Sequence, residues 1–297
     1  MTSASPRRQG RYDSALQHLD QGLELSRRTG NSLLLSDLFA ASAHANLLLG
    51  RLDDASRCAE EALEAASFVG SEEASWFASA VLGATRLWQG DYATASSIFE
   101  KLMISLHTVD DSEPAPVRSV ALGILGQAML FNGDPDGCVR TVTRAGGGPD
   151  LVRFEASMRT LWFGLLTSAE LAKDDLAAAG SWADRAAVAD GPDGPHHQRA
   201  FIALSRAELH FARQDTAVAA RFAQEAAEVF SACRMPLYEA IARIKAGIAL
   251  AVSPEHRTEA LAQLAQAQSL CGTRGAHGLA ALAEAEYRRI ADSPVVP

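Results

Sequence analysis

Eight histidines, four cysteines and three lysines are the residues of this 297-residue chain whose chemistry most narrowly constrains function. Two imidazoles one helical turn apart would offer a metal two ligands from one face, as in H-E-x-x-H. Here His196 and His197 are adjacent and His210 lies further along, so neither a zinc pair nor any other metal site is expected. A phosphate-binding loop needs Lys followed by Ser or Thr, whereas Lys101, Lys173 and Lys245 are followed by Leu, Asp and Ala. Gly146-Gly147-Gly148 has no strand signal before it and no Gly-Lys after it, which makes it a helix-stopping loop. Cys58, Cys138, Cys233 and Cys271 form no C-x-x-C pair and read as small apolar core residues. No G-x-S-x-G elbow occurs. The acidic pairs Glu60-Glu61, Asp110-Asp111 and Asp174-Asp175 fit helix surfaces or helix starts, where they complement the helix dipole. Catalysis therefore has no positive support and no cofactor is expected; an enzyme built on a cavity stays as the third alternative.

Composition narrows the class further. The chain is 48% hydrophobic, 21% charged and 6% aromatic, enough apolar material for a large core. Its net charge of −9 argues against nucleic-acid binding, which rests on clustered Lys and Arg. Arg27-Arg28 and Arg288-Arg289 fall in the last turns of expected helices, where cations meet the negative end of the dipole. The most apolar stretch, SLLLSDLFAASAHANLLLG, carries Asp37, His44 and Asn46, so no membrane span is expected. No apolar segment follows the basic residues of MTSASPRRQG, so the expected address is cytoplasmic.

The elements that must position any site follow from a repeat. A Gly, then Tyr or Leu two residues on, then Ala three further recurs as Gly10…Ala15, Gly50…Ala55 and Gly90…Ala95. Weaker copies are Gly133…Cys138, Asp174…Ala179, Gln214…Ala219 and Glu255…Ala260, at intervals of 40, 40, 43, 41, 40 and 41 residues. Seven residues after each small position stand Gly22, Ala62, Leu102, Ala145, Ala186, Ala226 and Ala267, a stripe along one helix face. Seven residues before the later starts stand Ala43, Gly83, Gly126, Thr167 and Ala207, with Gly247 eight before the last. Two such stripes let antiparallel helices approach closely, and the pattern resembles the tetratricopeptide repeat, with hairpins lengthened from about 34 residues. Strand signals are nearly absent. The expected fold is all-α, a TPR-like right-handed solenoid of about seven hairpins over residues 10–291, with a disordered or tag-like segment 1–9 and a tail 292–297. It would open on a second-type helix at Gly10 and close on a first-type helix at 276–291. Turns are expected at 107–117, 144–150 and 190–197.

The tetratricopeptide resemblance implies that the first helix of each hairpin lines a concave face. Mapped onto this sequence, that face carries Phe77, Leu87, Trp88, Val120, Gln127, Leu130, Phe131, Leu161, Ser168, Phe201, Leu204, Glu208, Phe211, Ile241, Ile244 and Ile248. One reading makes these positions core. The other makes them an apolar groove with Gln127 and Glu208 as polar fixtures and Arg86 and His44 at its sides. The candidate ligand-binding residues are Phe77, Trp88, Gln127, Phe131, Phe201, Glu208, Phe211 and Ile244, facing a small amphipathic molecule or an apolar peptide or helix, with self-association left open.

The stretch VFSACRMPLYEAIARIKAGIAL, the following EALAQLAQAQSLCGTRGA and the closing LAALAEAEYRRI resemble the last repeats of the large ATP-binding regulators of the LuxR family. That resemblance implies a ligand-sensing region of a bacterial transcriptional regulator, with a nucleotide-binding domain before it and a helix-turn-helix after it in a longer protein. The alternative is a stand-alone adaptor for a protein or peptide partner. The high ratio of Arg to Lys and the alanine content point to a GC-rich bacterial source.

Overall fold

The structure, a computed structural model, describes residues 11–107, 116–189 and 196–293. The expected segment 1–9, the turn residues 108–115 and 190–195 and most of the tail lie outside them. Among the described residues there are 14 α-helices and no strand. The chain divides into two compact units: Met1–Asn132 with Arg140–Phe154, and Gly133–Val139 with Glu155–Pro297.

In the first unit α1 (Arg11–Thr29), α2 (Leu35–Leu48), α3 (Leu52–Val69), α4 (Glu72–Gln89), α5 (Tyr92–His107) and α6 (Pro116–Phe131) follow one another. Consecutive helices from α1 to α5 pack as antiparallel neighbours, and the first-type helices α2, α4 and α6 lie side by side. The small stripe is what allows this. Ala43, Ala55, Ala62 and Ala95 are essentially inaccessible, and a Cβ on Gly83 would come within 2.8 Å of Phe99 Cζ on α5.

α7 (Pro135–Ala145) starts in the second unit and ends in the first. The second unit continues with α8 (Arg159–Leu171), α9 (Leu176–Ala189), α10 (His196–Ala212), α11 (Thr216–Ala232), α12 (Pro236–Leu250), α13 (Arg257–Gly272) and α14 (His277–Ala291). Its first-type helices are α8, α10, α12 and α14, neighbours in that order. Ala179, Ala186, Ala207, Ala219, Ala226, Ala260 and Ala267 are buried between layers. At Gly247 a Cβ would meet Leu264 Cγ at 2.7 Å and the Ala260 carbonyl oxygen at 3.1 Å, so α12 and α13 are in near backbone contact.

The repeat start is a helix stop. Gly50, Gly90, Gly133, Asp174 and Gln214 all adopt positive φ, between 60° and 85°, the left-handed conformation that ends helices at least cost with glycine. The acid that follows then caps the next helix: Asp91 accepts from the Thr94 amide at 3.2 Å, Asp134 from Gly137 at 2.8 Å and Asp175 from Ala178 at 2.9 Å. These bonds explain the helix-start acids without chemistry, and the Thr94 side chain and amide hold the Asp91 carboxyl below its ordinary value. The seventh start departs from the pattern. Glu255 sits in a short 3-10 turn, Pro254–His256, that feeds α13 directly.

Between α7 and α8 the triglycine ends the helix, with Gly147 and Gly148 at positive φ. The segment beyond is irregular but anchored. Leu151 and Phe154 are buried, and a Cβ on Gly146 would collide with Leu151. In the second unit, His197 Nε2 donates to the Ser157 carbonyl at 2.9 Å and Gln198 Nε2 to the Ala156 carbonyl at 2.6 Å.

Candidate functional site

A half-enclosed groove of about 420 Å3 opens in the second unit between the C-terminal turns of α8 and α10 and the later turns of α12. Its floor and walls are mainly Leu171, Ala207, Phe211 and Ile248, closed by alanines. The small residues Ala207 and Ala219 let the walls stand apart without a side chain filling the space between them.

One charged pair is set into this apolar surface. Lys245 Nζ on α12 lies 2.7 Å from Glu208 Oε1 on α10, and the Ser168 hydroxyl on α8 donates to Glu208 Oε2. Glu208 is only 13% exposed in its side chain, so its charge is tolerated because both oxygens are satisfied. The Lys245 ammonium, more open to solvent, spends one of its three donors on this pair. The groove is thus apolar with a net capacity to donate hydrogen bonds.

Of the eight expected ligand residues, four belong to the second unit, Phe201, Glu208, Phe211 and Ile244. Glu208 and Phe211 line the groove. Phe201 and Ile244 do not: each is 3% exposed. Phe201 packs edge-on against Phe230 and Tyr238, with ring centroids 4.9 and 5.0 Å away, and is core. The groove opens only over the C-terminal turns of α8 and α10, whereas Phe201 sits one and a half turns earlier in space already filled by α11 and α12.

Phe77, Trp88, Gln127 and Phe131 belong to the first unit. Phe77 is half-buried against the cluster of Leu23, Phe39 and Ala40, with His44 edge-on at 5.4 Å. Phe131 is 56% exposed and stacks on Tyr92 at 5.4 Å. Trp88 and Gln127 are half-buried. Arg86 is held by Glu60 at 2.8 Å and Gln89 at 3.1 Å.

Sequence reasoning missed Lys245 because the tetratricopeptide mapping does not assign its register to the concave face. A readable signal existed: it is one of only three lysines, flanked by Ile244 and Ala246.

Burial pushes the Cys138 thiol up to about 12 and the Cys271 thiol to about 11, which leaves both uncharged and unreactive near neutrality. Among the described residues no group of three or more His, Cys, Asp or Glu is placed to hold a metal. No helix among them is long and apolar enough to cross a membrane.

Residues 6–67 match the tetratricopeptide repeat family. None of the curated proteins matches the chain. Among solved structures, the TPR2AB domain of yeast Sti1 in its pHSP90 complex aligns at 16% identity over 86% of this chain and 98% of that one, with a TM-score of 0.36. The Cut9–Hcn1 hetero-tetramer of the APC/C aligns at 13% identity over 94% of this chain and 58% of that one, with a TM-score of 0.40. At those values neither likeness carries an argument about partners. The hairpins, the stripe of small residues and the matched segment make the architecture a tetratricopeptide-like helical repeat, with the match to the family itself resting on residues 6–67.

Proposed function

We propose that this chain is a binding module whose α8–α10–α12 groove takes an amphipathic peptide segment of a partner protein. The observation that carries the reading is the Glu208–Lys245 pair set in an apolar groove. Leu171, Phe211 and Ile248 bury apolar side chains of the segment, and the spare donors of Lys245 meet one of its carbonyl or carboxyl oxygens. Helical-hairpin repeats commonly present such surfaces.

A second reading has a specific observation behind it. A volume of about 420 Å3 lies within the range of small-molecule pockets, which fits a small amphipathic ligand and the sensor region implied by the LuxR-family resemblance.

Selection of a random twelve-residue peptide library against the chain, with the Phe211→Glu variant as counter-target, tests the first reading. Enriched peptides should carry spaced apolar residues and bind the parent at least tenfold more tightly than the variant. Peptides that bind both equally would overturn it. A medium-chain carboxylate such as decanoate that raises the melting temperature of the parent but not of Lys245→Met would replace the peptide by the small ligand.

A further inference from the structure

The face of α10 turned away from the groove has a different character. Arg206 and His210 lie roughly 200° round the helix from Glu208, and Arg213 lies about 140° round it. Both arginines are exposed. On the neighbouring helix α11, Arg221 is also exposed and Phe222 beside it is half-buried.

Phe222 gathers these groups. The Arg206 guanidinium carbon lies 5.7 Å from its ring centroid, that of Arg221 lies 5.4 Å away, and the His210 ring stacks on it at 5.6 Å and 26°. Arg213 reaches the other way, towards Gly180 on α9.

Among the described residues, Arg206, Arg213 and Arg221 make no ion pair or side-chain hydrogen bond. Acids are nearby. Asp215 is engaged by His210 at 3.3 Å, and Glu225, four residues along α11 from Arg221, pairs with neither arginine. Two guanidiniums resting on one ring are oriented by cation–π attraction while their N–H edges stay free. That arrangement suits bidentate capture of carboxylates and lowers the side-chain entropy lost on binding.

We propose that the surface formed by Arg206, Phe222 and Arg221 is a second docking site that takes an acidic segment of a partner protein. Charge complementarity selects the occupant. Two unpaired guanidiniums on one ring form a local positive surface on a chain of net charge −9. A short acidic segment feels mainly charges within a Debye length, about 10 Å at 0.1 M salt. A long duplex would also meet the repulsion of the rest of the chain.

The test uses the full chain and a fluorescent twelve-residue peptide of alternating Glu and Ser, with its Gln counterpart as control. The acidic peptide should bind saturably, weaken as salt rises from about 0.05 M to about 0.3 M, and bind the Arg206→Gln/Arg221→Gln variant at least tenfold less tightly. Arg206→Lys/Arg221→Lys, which keeps the charge but not the stacked fork, should fall between. Phe211→Gln, an uncharged change in the groove on the opposite face, should bind as the parent does, which separates this site from the groove. Equal binding of the Glu and Gln peptides, unchanged affinity in the double Gln variant, or tighter arginine-dependent binding of a duplex DNA would each overturn the assignment. Circular dichroism of each variant should match the parent because the altered side chains are exposed.

Discussion

The same repeat position does opposite work in the two units. One residue after the small position of the first-type helix, α2 places His44, whose ring is occupied by Phe77 of α4. In the second unit the corresponding residues are Ser168 and Glu208; Ser168 donates to Glu208, which pairs with Lys245 at the edge of an open groove. A hairpin array fixes which backbone positions face each other, but the side chain at a facing position decides whether the space is plugged or left for a partner. The helix stops differ too: Gly50 and Gly90 in the first unit, Gly133 but also Asp174 and Gln214 in the second, all in the left-handed region.

The largest expected effect tests how far each layer can yield. Alanine at Gly247 places a Cβ against Leu264 Cγ and a backbone carbonyl, while alanine at Gly83 meets only the Phe99 ring. Gly247→Ala should lower stability by about 2 kcal/mol in urea denaturation, after about 1 kcal/mol gained in helix propensity is counted. Gly83→Ala should cost less because a ring can swing where a backbone cannot. Equal losses would erase this distinction between the units.

The next effect concerns the charged pair. Lys245→Met strands the largely buried Glu208 carboxylate, and with the lysine partly solvated the loss should be about 1–2 kcal/mol rather than the 3–5 of a fully buried pair. Adding Glu208→Gln should recover most of that loss. A double-mutant cycle with no coupling would mean that the pair does not hold the groove.

The smallest effect is at the stops. Gln214→Gly should stabilise by about 0.5–1 kcal/mol by removing left-handed strain, and Gly90→Gln should destabilise by a similar amount. Thermal melting of the two variants checks both signs.

The fold was readable because its determinant is a spacing. Ala and Gly at seven-residue intervals mark where backbones must meet, and every such residue from Ala43 to Ala267 is buried, the glycines included. The repeat start was also readable, though its meaning was not: glycine there marks a left-handed helix stop, and Asp174 and Gln214 hold that conformation without the residue that signals it. The groove, as a candidate site, was legible only at some positions. Glu208 and Phe211 follow the small position by one and four residues and reach the groove, while Phe201 and Ile244 precede it and go to the core. A linear rule for a concave face carries no knowledge of where along a helix the neighbouring layer closes, and it assigns nothing to the position two before the small residue, where Lys245 stands.

The anchored segment after the triglycine has a consequence for proteolysis. Thirteen residues from Gly146 to Met158 carry no α-helix, and such a stretch would ordinarily be the first place a protease cuts. A protease needs slack to draw a strand of backbone into its cleft. Here Leu151 and Phe154 fasten one end by burial, and His197 and Gln198 hold the carbonyls of the other. Cleavage in this segment therefore waits on an opening that releases those anchors, so a nick there clocks the loosening of a unit rather than the exposure of a loop.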